Sequence, residues 1–174
     1  ELAFTALADT IKAVIGTIIE FAGKARQFNS ELANIATLIP GNTQRIREMQ
    51  YAIEDMSAAS GKSLSELSKT TYDIVSAFGD TADTMKILEI SSKAATAGLS
   101  TTTESLGLLS AVSKAYGDTS AETIQKISDL GILTVRLGKT TFPELATAIQ
   151  KVTPAAAALG VSMEELFAME ATLT

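Results

Sequence analysis

The sequence predicts an all-α fold: a long N-terminal heptad helix, then a compact bundle of short antiparallel helices built from a helix–turn–helix repeat of about 38–40 residues. Three observations predict it. Apolar residues keep an unbroken heptad spacing from Phe4 to Ile39. Five capping-box pairs punctuate the second half of the chain. Only 3 Pro occur in 174 residues, and no strand-length run alternates with period two.

The heptad comes first. Phe4, Leu7, Ile11, Val14, Ile18, Phe21, Ala25, Phe28, Leu32, Ile35 and Ile39 follow one another at steps of three and four. A helix of this length is about 55 Å long at 1.5 Å per residue. Its e positions (Ala8, Ile15, Ala22, Asn29, Ala36) and g positions (Thr10, Thr17, Lys24, Glu31, Leu38) are mostly small or apolar. Two-stranded zippers carry charged pairs there, so the wider stripe suits three or more strands, or a helix lying against its own domain. Periodicity alone leaves both open. Gly16 and Gly23 sit on outward f positions, where each costs about 1 kcal/mol of helix propensity, so the helix needs partners. The expectation is a self-association seam along Phe4 to Ile39, forming a parallel bundle of three or more copies. Pro40-Gly41-Asn42 ends the helix and separates a coiled-coil region, 1–41, from an all-α core domain, 42–174.

Within the core domain, Ser76-Ala77-Phe78-Gly79-Asp80-Thr81 recurs 38 residues later as Lys114-Ala115-Tyr116-Gly117-Asp118-Thr119. Gly61, Gly98, Gly138 and Gly160 each stand just before a Ser or Thr, and each reads as the left-handed residue that stops a helix. The capping boxes pair Ser63 with Glu66, Thr101 with Glu104, Thr119 with Glu122, Thr141 with Glu144, and Ser162 with Glu165. Together they predict helices near 43–59, 64–77, 81–96, 102–115, 120–136, 142–152 and 162–174. Pro154 before four alanines reads as a fresh helix start.

Composition then excludes whole classes of chemistry. With no Cys there is no thiolate nucleophile and no disulfide, and with no His the commonest general base and metal ligand is missing. A net charge of −6 argues against binding a phosphate backbone. The 27 Ala, 22 Thr and 16 Ser outweigh 6 Phe, 3 Tyr and no Trp, so area is buried by close approach of helices. No basic leader precedes an apolar run, and the longest uncharged run, 32–44, is interrupted by Pro40-Gly41, short of the roughly 20 apolar residues a spanning helix needs. The chain begins without Met and stops inside a helical pattern, and is read as an excerpt of something longer.

Three motifs look chemical. Gly138-Lys139-Thr140 and Gly61-Lys62-Ser63 resemble the end of a phosphate loop, but the required upstream Gly is Leu133 or Met56 and no strand precedes either. Glu54-Asp55 and Glu164-Glu165 are adjacent carboxylates, yet neighbours on a helix point about 100° apart. Lys24, Arg26, Arg45 and Arg47 have no interleaved aromatics and read as a solvated face. No catalytic residue, cofactor site or metal site is expected.

One stretch is recognisable. Thr134-Val135-Arg136-Leu137-Gly138-Lys139-Thr140-Thr141-Phe142-Pro143-Glu144-Leu145-Ala146, followed by Ala156-Ala157-Ala158-Leu159-Gly160-Val161-Ser162, resembles the core region of phage tail tape measure proteins of the minor-tail type. Lys126-Ile127-Ser128-Asp129-Leu130, Ser76-Ala77-Phe78-Gly79 and the run from Phe28 to Leu38 also fit, so the likeness covers roughly Phe28 to Thr174. The resemblance implies a non-enzymatic virion structural protein, made in the host cytoplasm and housed in the lumen of the tail tube. Its length would set the length of the tail, and it would scaffold tube assembly. Its implied partners are further copies of itself, tail-tube and tail-tip or baseplate proteins, and tail assembly chaperones. The alternative is a membrane-active or pore-forming helical module used during genome ejection, since small-residue helices pack closely in bilayers.

Overall fold

The computed structural model describes the backbone of residues 2–173 and the side chains of residues 12–17 and 19–173. Eight helices and no strand occur among the described residues: α1 (Leu2–Leu38), α2 (Thr43–Ser60), α3 (Leu64–Phe78), α4 (Thr84–Ala97), α5 (Thr102–Tyr116), α6 (Ala121–Leu137), α7 (Phe142–Ala158) and α8 (Met163–Leu173). Each packs against its immediate neighbours in sequence and against the helix two further on. That rule sorts them into two layers, with α1, α3, α5 and α7 in one and α2, α4, α6 and α8 in the other. The repeat of 38–40 residues is therefore one stacked hairpin: α3–α4, then α5–α6, then α7–α8.

Between the layers runs a continuous core, with Ile35, Met49, Ile53, Leu67, Ile87, Leu108, Ile127, Phe142 and Ile149 fully or almost fully buried. Burying each such side chain contributes about 1.5–3 kcal/mol. The many Ser and Thr fit this core because they satisfy themselves. Thr71, Ser91 and Thr153 donate to the carbonyls of Leu67, Ile87 and Ile149 one turn back, at 2.8, 2.8 and 2.6 Å. They bury small volumes, let helices approach closely and ask nothing of the facing helix.

Caps set the helix starts, with two departures from expectation. Thr101, Thr141 and Ser162 form full boxes with Glu104, Glu144 and Glu165. Ser63 accepts from the Glu66 amide, but the Glu66 carboxylate is turned elsewhere. The expected Thr119–Glu122 box is displaced by one residue. Asp118 accepts from the Ser120 amide at 2.9 Å and from the Thr123 hydroxyl at 2.5 Å, so Ser120 becomes the cap of α6. Helix α4 starts at Thr84 rather than 81, because the Thr84 hydroxyl accepts from the Thr81 amide and holds 81–83 as a turn.

Carboxylates also cap across the stack. Because alternate helices run side by side, their N-termini are adjacent. Glu66 on α3 accepts from the Thr102 amide (2.9 Å) and hydroxyl (2.5 Å) at the start of α5. Asp83 before α4 accepts from the Ala121 amide at the start of α6, at 3.1 Å. Each anion meets the positive end of a helix dipole in the next hairpin.

Pro154 does not start a helix; it lies inside α7, which continues through the alanines to Ala158. Those alanines are the best helix formers available and Ala156 is buried, which offsets the missing amide of Pro154. Nor do all four helix-ending glycines take the left-handed conformation. Gly61 and Gly160 do, but Gly98 sits at φ −93° and Leu99 takes the left-handed turn at φ 50°. The reason is steric. A Cβ on Gly98 would lie 2.5 Å from Cγ of Phe142, the fully buried wedge that starts α7.

Candidate functional site

The heptad positions meet two different environments along one 37-residue helix. Phe28, Leu32 and Ile35 are buried against α2 and α3, and Ile39, just beyond the helix end, is half-buried. A hydrogen-bonded cluster fixes α1 where it meets the domain. Glu31 accepts from the Ser65 hydroxyl at 2.6 Å and from the Gln27 amide nitrogen at 3.1 Å, and Gln27 also donates to Ser65 at 2.9 Å. Lys69 approaches the same Glu31 oxygen at 3.9 Å. N-terminal to this cluster the described side chains leave the domain: Val14 is 54% exposed and Phe21 74%. The side chains of Phe4, Leu7, Ile11 and Ile18 lie outside the described residues.

The exposed apolar surface of α1 is wider than the heptad. Ile15 and Ile19 are 50% and 66% exposed, so a, d, e and b positions all carry bare aliphatic or aromatic groups between Val14 and Phe21. Contiguous exposed apolar surface of this kind marks an interaction site. Ile19 was legible in the sequence only as an off-register residue. Its signal was the pair Ile15 and Ile19, one turn apart.

Elsewhere the domain offers two clefts. Between α1 and α3, Glu31, Asn34, Lys69, Tyr72 and Asp73 line one of about 580 Å³, where burial pushes the Asp73 carboxyl above its ordinary value. Between α2 and α4 lies an apolar groove of about 920 Å³ lined by Ala52, Met56, Ala59, Met85 and Ala97, with Asp55, Lys86 and Lys93 among its polar lining. Small residues keep these two helices from interlocking.

The motifs that looked chemical are absorbed by structure. Lys62 pairs with Glu66 at 3.2 Å and Ser63 caps α3. The Gly138 amide closes α6 onto Thr134. Glu54 accepts from Gln50, Glu164 pairs with Lys126 at 2.5 Å, and Glu165 caps Ser162. Of the basic group, Arg45 alone is tightly bound, with Nε and Nη2 both on Asp80 at 2.9–3.0 Å and Nη2 on the Thr81 carbonyl at 3.0 Å. That fork ties α2 to the α3–α4 turn. Lys24 pairs with Glu20 on the free part of α1. Among the described residues no three acidic side chains gather as a metal site, and no helix is long and apolar enough to cross a membrane.

A family model described as phage-related minor tail protein matches residues 50–174, from within α2 to the end of the chain. No curated protein and no solved structure matches.

Proposed function

The chain belongs to the phage-related minor tail protein family and is thereby a structural component of a phage tail; from that premise we propose that it is a core segment of the tape measure protein, which sets tail length and scaffolds the tail tube. The single observation that carries this reading is the stack itself continued into a projecting 37-residue helix. Both parts extend along one direction by a fixed increment per unit, 1.5 Å per residue in the helix and one hairpin per repeat in the stack. A ruler needs that property and needs no reactive group. On this reading the segment is not an enzyme, and it lies in the tube lumen after synthesis in the host cytoplasm. Tail-tube, tail-tip and chaperone proteins are its partners.

Its self-association runs through the seam of α1, in three or more copies. Val14 and Phe21 supply the described part of that contact, while Phe28, Leu32 and Ile35 anchor the helix to its own domain. The experiment is genetic. Inserting four heptads (28 residues) in register between Ala22 and Lys24 of the phage gene should lengthen the tail by about 42 Å in electron micrographs. Unchanged tails would refute the ruler assignment.

A second reading, membrane contact during ejection, draws on the same exposed Val14, Ile15, Ile19 and Phe21, which suit an interfacial helix rather than a spanning one. Flotation with liposomes decides it: recovery in the floated fraction that is lost in Phe21→Glu favours membrane contact, and recovery only in the pellet removes it.

A further inference from the structure

The hairpin stack has two ends, and they differ. At the N-terminal end, α2 turns Gln44, Arg47 and Tyr51 outward, a polar face that closes an array against solvent. At the C-terminal end, Gln150, Pro154 and Ala157 mark the flank of α7 that shares a cleft with α5. At 100° per residue the opposite flank carries Ala148, Val152, Ala155 and Leu159, spaced by four, three and four. Val152 is 39% exposed and Leu159 83%. Beside it, Val161, Ala168 and Met169 line a shallow cleft of about 430 Å³. Every interior helix has a neighbour two places on; α7 and α8 present that side bare.

We propose that this C-terminal face receives the projecting part of α1 from a second copy of the chain, residues 12–26, in a head-to-tail contact. The inference rests on the reading that α1 mediates self-association, and names what it docks on. Two observations select this occupant. The first is shape: the stripe 148–159 spans about 17 Å and the free helix 12–26 about 21 Å, both straight apolar helical faces. The second is charge. Residues 12–26 carry Lys12, Lys24 and Arg26 against Glu20, whereas residues 142–173 carry Glu144, Glu164, Glu165 and Glu170 against Lys151. A cationic apolar helix meets an anionic apolar face, which favours the encounter and disfavours a helix packing on its own like-charged copies. A parallel bundle of α1 alone would leave the C-terminal face uncovered; the head-to-tail contact covers both. Such a contact is heterologous, so it propagates from copy to copy and yields assemblies of three or more.

The chain has no cysteine, which makes cross-linking clean. Phe21→Cys and Val152→Cys each sit on exposed positions and leave the core intact, a point checked by circular dichroism. The two proteins are oxidised separately and mixed, at low and high salt, with sedimentation of the parent run in parallel. The expected result is a disulfide-linked dimer in the mixture at least about tenfold above either protein alone, a ratio that corresponds to about 1.4 kcal/mol of preference, weakened by salt. Dimers mainly in Phe21→Cys alone would overturn the head-to-tail contact while leaving self-association through α1 standing. A parent that sediments as a monomer with no cross-link in any sample would overturn both.

Discussion

Gly98→Ala isolates the contact between a helix end and the wedge that follows it two helices later. Backbone geometry is not at issue, since φ at Gly98 is −93°, a value any residue adopts. On that count alanine should help: it removes conformational freedom from the unfolded chain and gains about 0.4–1 kcal/mol. The side chain opposes it. A Cβ would lie 2.5 Å from Phe142 Cγ and 2.7 Å from Phe142 Cβ and Cδ2, where carbon atoms prefer about 3.5–4.0 Å. The overlap of about 1 Å falls on the root of the phenyl group, which cannot swing clear without moving α7. Overpacking costs about 1–3 kcal/mol, and three simultaneous clashes place this case at the upper end. The net loss expected is about 2 kcal/mol. In a urea titration followed at 222 nm the midpoint should fall by about 1 M at unchanged slope, for a slope near 2 kcal/mol/M. In a Phe142→Leu background the same change should cost at least about 1 kcal/mol less, the coupling expected of touching residues. A Gly98→Ala protein as stable as its parent would refute the steric account of that glycine.

Other changes probe other parts of the stack. Leu99→Gly relieves the left-handed turn at φ 50° and, with its side chain 92% exposed, should stabilise by about 1 kcal/mol in the same titration. At Glu66, burial raises the pKa, but the Thr102 hydroxyl and amide and the Lys62 ammonium outweigh it and hold the group below its ordinary value. Its contribution is thus present above the unfolded carboxylate pKa and lost as pH falls through the lower folded value; Glu66→Gln should flatten the acid limb of a stability–pH profile. Asp73 has the opposite sign, pushed up by burial alone, so Asp73→Asn should stabilise the domain at neutral pH and leave it unchanged in acid, as read by thermal melts. Arg45→Ala removes the fork on Asp80, where both side chains are about one-fifth exposed, and should lower stability by about 1–3 kcal/mol in urea.

What could be read without coordinates depended on range. Helix starts at Thr101, Thr141 and Ser162 were legible because a capping box is a four-residue affair. The 38-residue echo of Phe78-Gly79-Asp80 in Tyr116-Gly117-Asp118 exposed the hairpin unit, since both are the same corner of successive hairpins. Heptad spacing specified a long amphipathic helix but not its partner, because Phe28 and Phe21 carry the same side chain in the same register and differ only in what lies opposite. Contacts made by stacking left no local trace. Glu66 looked like a residue for Ser63, and only the neighbouring N-terminus of α5 diverts it to Thr102. Gly98 looked like a turn residue, and only Phe142, more than forty positions away, shows it to be a hollow for a ring. Pro154 misled because local propensity favours a start there, whereas Thr153 and Ala156 are buried in a helix already under way.

The two-layer order also governs how the molecule responds to pulling. Each hairpin is held by the hairpins before and after it, so axial tension concentrates at whichever end is unsupported and peels units off in sequence. A released hairpin of 38 residues pays out roughly 130 Å of chain at about 3.4 Å per residue. The stack would therefore lengthen in steps rather than fail at once, and the cross-hairpin caps at Glu66–Thr102 and Asp83–Ala121 would be the latches that set the force of each step.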